Sequence, residues 1–342
     1  MSPRLSPGLT AARVNTALSS RTTWLILAAL IVAVLVPLPL SRYGVYLAAL
    51  TLIYAIAAHG LNLTMGYAGQ ISLGHAAFFG IGAYVGGLLM VKLGVSFWLT
   101  IPIAAFVCFA LGWLLGYPAL RVQHHYLAFA TLGFNTLVFL VIRNEEWLTG
   151  GTFGLNGVPR PSISDFELTK DLGYYYLVLA FFVLASMILW WIVRSPWGRA
   201  FNALRDNAIR AESVGIDIRA YTLLAFAIGA AYAGVAGVLF ASLVNFIEPA
   251  PFGIPASIAM LLMVVVGGIG RFWGPLLGAI LVTLLPEWLR GLKDWYLVVF
   301  GLSVMLLMVY HPGGLLGLPD RWREIRRKRA AAPAAASPTA TR

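Results

Sequence analysis

Apolar residues run along this chain in long blocks separated by short polar connections. Ten blocks approach the roughly 20 residues that a helix needs to cross a bilayer. They cover residues 23–40, 43–64, 70–91, 97–117, 126–142, 174–193, 220–244, 254–270, 272–289 and 295–310. The pattern predicts an all-α polytopic membrane protein of about ten transmembrane helices. It divides the chain into an N-terminal segment (1–22), a membrane domain (23–319) and a basic tail (320–342), the end of which is Ala/Pro-rich and is expected to be disordered. Block 23–40 lacks an A-x-A-like cleavage site and is expected to stay as an anchor helix.

Charge placement orients the spans. With the N-terminus inside and all ten blocks crossing, 17 of the 24 Lys and Arg residues fall inside, whereas eight of the 13 acids fall outside. This follows the positive-inside rule and puts both termini in the cytoplasm. Composition agrees: 60% of residues are hydrophobic and only 11% charged, against about 25% charged in a soluble domain. Soluble enzymes, nucleic-acid-binding domains and disulfide scaffolds are thereby excluded. The net charge of +11 sits at membrane edges and in the tail, not in one basic domain. Cys108 is the single cysteine and has no intrachain partner for a disulfide.

Two connections are long. Residues 143–173 lie outside and contain Thr149, Gly150, Gly151 and Gly154, a run suited to tight turns with positive φ. They form either a solvated loop or a docking surface for something outside. Residues 194–219 lie inside, between spans six and seven. Ser195-Pro196 opens a helix in cap and first-position order. Phe201, Leu204, Ala208 and Ala211 form an apolar stripe, and Gly215 can end the helix. One short amphipathic helix is expected there, lying on headgroups or in a protein groove. Its mixed charge and small residues favour the groove.

Asn62, Gln70, Ser72, His75 and Asn135 are polar in apolar surroundings and must face protein or water. A lone membrane histidine is more often an interhelical hydrogen-bond partner than a ligand. Glycine-interrupted runs at 66–82 and 267–279 point weakly to a repeated, broken-helix pathway. Ser72 and His75 lack a G-x-S-x-G turn and an orienting carboxylate, so no catalytic role is assigned. His124-His125 read as wet interface, not as metal ligands. No P-loop occurs, and no span centre carries Asp or Glu. The second absence disfavours the alternative of an ion-gradient-driven carrier or a facilitated channel.

In order along the chain stand Gly66-Tyr67-Ala68-Gly69-Gln70 with Ser72 and Gly74-His75-Ala76, then Tyr126-Leu127-Ala128, Thr131-Leu132-Gly133-Phe134 and Thr149-Gly150-Gly151 with Gly154. Ser195-Pro196, Gly198-Arg199-Ala200, Arg205-Asp206-Asn207, Ala211-Glu212-Ser213 and Gly215 follow, then Gly267-Gly268-Ile269-Gly270, Gly274-Pro275 and Gly278. Together they resemble the LivM-type permease subunits of branched-chain amino-acid ABC importers, from about residue 43 to 319. The resemblance implies a non-catalytic translocation subunit in a bacterial inner membrane. Its partners would be a homologous second permease, two cytoplasmic ATPases and a periplasmic binding protein. The resemblance places ATP and Mg on the ATPases and no cofactor on this chain. It implies ATPase coupling by Arg199, Arg205, Asp206, Asn207, Glu212 and Gly215, and binding-protein docking by the 143–173 loop. Asn62, Gln70, Ser72, His75 and Asn135 are expected to line the substrate pathway. Where the family often shows Gly-Glu after Thr-Leu-Gly-Phe, this chain has Asn135-Thr136.

Overall fold

A computed structural model describes residues 31–119, 124–163, 166–167, 171–289, 291, 295, 298–299, 301–302, 305 and 313–317. Its helices are α1 (Arg42–Asn62), α2 (His75–Leu93), α3 (Phe97–Ala119), α4 (His124–Asn144), the short α5 (Glu146–Thr149) and α6 (Asp171–Arg194). Then come α7 (Pro196–Asp206), α8 (Ala208–Ser213), α9 (Ile218–Val244), α10 (Ile254–Gly267) and α11 (Gly274–Trp288). Among the described residues, six helices are long and apolar enough to cross a membrane: Arg42–Tyr67, His75–Leu93, Phe97–Tyr117, Leu127–Asn144, Asp171–Arg194 and Ile218–Val244. Helices α10 and α11 have 14 and 15 residues, short of the roughly 20 needed for a full crossing. Residues 23–30 of the expected first span and most of the tenth, with the N-terminal segment and the tail, lie outside the described residues.

Three expectations change. The third block begins its helix at His75, not Gln70; residues 68–74 run as irregular backbone after a π turn, Leu63–Tyr67. The eighth block ends its helix at Gly267, where Gly268 and Gly270 take positive φ. The 194–219 connection folds as two helices instead of one. Asn207 is extended (φ −166, ψ 105), and its Oδ1 caps α8 by accepting from the Arg210 N–H at 3.0 Å. An amide side chain that satisfies a first-turn donor favours a new helix start over continuation.

Helix α9 is the hub, packed against α1, α2 and α3. Small residues permit this. A Cβ on Gly82 would run into the Gly234 carbonyl, and one on Gly237 into the Phe79 carbonyl, so the α2 and α9 backbones touch directly. Outside α9, the paired two-residue strands β1 (Leu155–Asn156) and β4 (Phe246–Ile247) run antiparallel, with Leu155 opposite Ile247. A second such pair joins β2 (Ser162–Ile163) to β3 (Phe166–Glu167). After β4 the chain turns inward through Ala250–Phe252, whose Phe252 ring packs on Phe79, Tyr84 and Phe240. Helix α10 therefore starts within the bundle, not at its edge.

Candidate translocation site and coupling surface

Both α2 and α10 start after irregular backbone, and their first turns meet. The Ala76 N–H donates to Ser257 Oγ at 3.0 Å, and that hydroxyl lies 3.4 Å from Asn135 Oδ1 on α4. Ser72 Oγ lies 3.5 Å from His75 Nδ1, and the Leu73 N–H donates to Thr131 Oγ1 at 3.0 Å. Ser72, His75, Thr131, Asn135 and Ser257 are all buried. The His75 ring packs against the backbone of Gly229. Gly229 stands 11 residues after Ile218 and 15 before Val244 on α9, about 16 and 22 Å along the helix from its two ends. This polar cluster thus lies deep within the membrane-spanning part. The opposite, exposed face of α4, with Gly133, Leu137 and Leu140, carries a separate open groove of about 550 Å³ that none of these buried residues lines.

The structure brings Ser72, His75 and Asn135 together and sets Asn62 and Gln70 elsewhere. Asn62 staples two elements: its Oδ1 accepts from the Gly270 N–H at 2.9 Å and its Nδ2 donates to the Arg271 carbonyl at 3.0 Å. Gln70 Nε2 donates to the Thr222 carbonyl at 3.0 Å. Both therefore sit where α1 ends and α9 begins. Gly66 is confined there, because a Cβ would collide with Asn62 Oδ1 and the Gly270 backbone.

Arg205 links this end of the bundle to α7. Its Nη1 donates to the Gly66 carbonyl at 2.9 Å, and its other nitrogens hold Asp206 at 3.0 and 3.1 Å. Phe201, Leu204 and Ala211 are buried against the spans. Arg199, Asp206, Asn207, Glu212 and Gly215 are exposed. Gly215 takes φ +86, as its role at the helix end requires. Ile209 and Val214 are 79% and 74% exposed on the same surface. Sequence reasoning passed over them, because it followed the apolar stripe that packs inward. Their signal was apolar residues standing off that stripe amid charges.

In the 143–173 loop the glycines shape the backbone. Thr149 is buried with Oγ1 2.7 Å from the Ile142 carbonyl. Gly150, Gly151 and Gly154 take positive φ, and a Cβ on Gly154 would strike the Ile247 carbonyl. That turn delivers Leu155 to its strand partner. What faces outward is Trp147 and Phe153, 76% and 81% exposed. Lys92 holds α5 by donating to the Trp147 and Leu148 carbonyls at 3.1 and 2.9 Å. Ser257 was also missed, although Gly253-Ile254-Pro255 before it is a helix-start signal.

A family model described as branched-chain amino acid transport system / permease component matches residues 43–309. The chain is 36% identical over 314 residues to the high-affinity branched-chain amino acid transport system permease protein LivM of Escherichia coli K12, covering 85% of this chain and 74% of that protein. It is 25% identical over 320 residues to a probable branched-chain amino acid transport permease LivM of Methanocaldococcus jannaschii, covering 77% and 90%. The permease protein LivH of the same Escherichia coli strain is 27% identical over 294 residues, covering 78% and 92%. No solved structure matches. The chain therefore belongs to the family of branched-chain amino acid transport system permease components.

Proposed function

We propose that this chain is the translocation subunit of an ATP-driven importer for branched-chain amino acids or closely related small solutes. In this reading it has about ten spans, both termini in the cytoplasm, and a place in a bacterial inner membrane. It pairs with a homologous second permease; the similarity to both LivM and LivH of one organism supports such a pair. Two ATPases bind below and carry ATP and Mg. A binding protein delivers substrate from outside, against the surface around Trp147 and Phe153. This chain itself performs no bond chemistry.

The observation that carries the proposal is the α7–α8 unit. It rests by Phe201 and Leu204 on the spans, is tied by Arg205 to the turn that ends α1, and presents Ile209 and Val214 outward. Apolar residues on a mixed-charge face suit a protein groove better than bulk water. Motion imposed on α7 reaches Gly66, and through Asn62 the Gly270–Arg271 turn that separates α10 from α11. The first turn leads through residues 68–74 into α2 and the second follows α10, the two helices whose first turns meet at the polar cluster of Ser72, His75 and Asn135. Substrate passes this cluster, while Asn62 and Gln70 hold the inner end of the pathway.

The test is reconstitution. The chain is co-purified with its neighbouring permease, ATPases and binding protein, placed in vesicles, and assayed for uptake of labelled leucine. Uptake that needs both ATP and the ATPases supports the proposal. Transport by this chain alone, without ATP, overturns it.

A further inference from the structure

We propose that the junction of α2 and α10 is a subsite for the carboxylate of a zwitterionic amino acid in transit; this assignment rests on the proposed pathway. Both helices are capped by glycine, Gly74 and Gly253, with no side-chain cap and no acidic residue in the first turn. Two positive helix ends thus converge inside the bundle with no acidic residue in either first turn to compensate them. No Asp or Glu occurs in α2, α4 or α10.

A second observation points to a ligand. Ser257 Oγ takes the Ala76 N–H and gives its own proton to Asn135 Oδ1. Asn135 is 0% exposed, and its Nδ2 meets no hydrogen-bond partner among the described residues. A buried donor without an acceptor is costly and rare in a folded protein. This one stands on the amide whose other end is already bonded at the first turn of α10. The lining therefore supplies the Asn135 amide donor, hydroxyls, the His75 ring and positive dipole ends, and no fixed negative charge. That chemistry accepts a carboxylate and rejects an ammonium group. Ser257 Oγ holds the acceptor position on Ala76 in the closed arrangement. A carboxylate oxygen takes that position when the two first turns part, with Asn135 Nδ2 as its second donor.

The test uses the complete importer in vesicles, with Cys108→Ala removing the native thiol of this chain. Ser72→Cys and, separately, Ser257→Cys place a thiol at the junction. Each is treated during ATP-driven leucine uptake with anionic sulfonatoethyl or cationic trimethylammonioethyl methanethiosulfonate, and labelling of this chain is followed. Rates are normalised to those with a free small thiol. The expected result is a preference for the anionic reagent of at least about tenfold, the scale of electrostatic focusing in a cleft. Leucine-loaded binding protein should slow the reaction, and adding Asn135→Leu should reduce the preference. Labelling with no preference, or with a cationic one, overturns the carboxylate assignment and leaves the pathway standing. Absence of labelling at both positions during active uptake overturns the pathway as well.

Discussion

Replacing Arg205 by alanine should uncouple ATP hydrolysis from transport while leaving the ATPases bound. The guanidinium makes one long-range bond, to the Gly66 carbonyl at 2.9 Å, and one local pair, with Asp206. A hydrogen bond from a charged group contributes about 1.5–3 kcal/mol. The Arg205 side chain is 38% exposed, and solvent screening lowers the value to about 1–2 kcal/mol. At about 1.4 kcal/mol per tenfold, the link between α7 and the π turn should weaken roughly five- to thirtyfold. The Asp206 pair is exposed at 68% and, like other surface pairs, contributes about 0–1 kcal/mol. Leucine delivered per ATP hydrolysed, in vesicles with saturating loaded binding protein, reads the difference. Arg205→Ala should lower that ratio several-fold, Arg205→Lys less, and Asp206→Ala little. The reasoning fails if Arg205→Ala keeps the wild-type ratio, or if Asp206→Ala lowers it equally.

Three further outcomes are expected. Gly82→Leu should lower the thermal midpoint of the purified complex or prevent assembly, because overpacking costs about 1–3 kcal/mol even where the neighbour is a side chain, and here it is the Gly234 backbone; an unchanged midpoint would refute the direct α2–α9 contact. Asn62→Leu should destabilise by about 1–3 kcal/mol for each backbone group left unpaired, namely the Gly270 N–H and the Arg271 carbonyl; thermal unfolding in detergent measures it, and Asn62→Asp should keep the bond from Gly270 alone. Trp147→Ala with Phe153→Ala should raise the concentration of loaded binding protein needed for half-maximal ATPase stimulation, with basal hydrolysis unchanged; an unchanged concentration dependence removes those rings from the docking surface.

Hydropathy made the spans legible because burial in lipid demands long apolar runs, and blocks two to nine each correspond to a helix. The glycine-interrupted runs at 66–82 and 267–279 cover both stretches where helices break inside the bundle, but do not give the boundaries of the breaks. Residues 68–74 mix small, apolar and polar side chains, and their irregular backbone is held by partners distant in sequence, such as Thr131 for Leu73 and Thr222 for Gln70. The α7–α8 break was hidden for a related reason: the apolar spacing continues through Asn207, while the capping bond to Arg210 ends one helix and starts the next. Polar membrane residues could be singled out from the sequence, but not sorted. Asn62 and Asn135 look alike as asparagines in apolar runs. One has its amide engaged with the Gly270–Arg271 turn, and the other has a donor with no partner among the described residues, beside Ser257. The outer glycines were legible as turns, but the aromatic pair they display was not, because exposure of Trp147 and Phe153 depends on the β1–β4 pairing of segments far apart in sequence.

The central claim is that α8 is where an ATP-driven partner pushes. Ile209, 79% exposed at its start, is the residue to interrogate. With Ile209→Cys in the Cys108→Ala background, a short thiol-reactive photo-crosslinker is attached from the cytoplasmic side of inverted membranes containing the whole importer. The account predicts a covalent product with the ATPase subunit whose yield changes between ATP-bound and nucleotide-free states. Attachment only from the opposite side, or capture of lipid and never of an ATPase in either state, would contradict it.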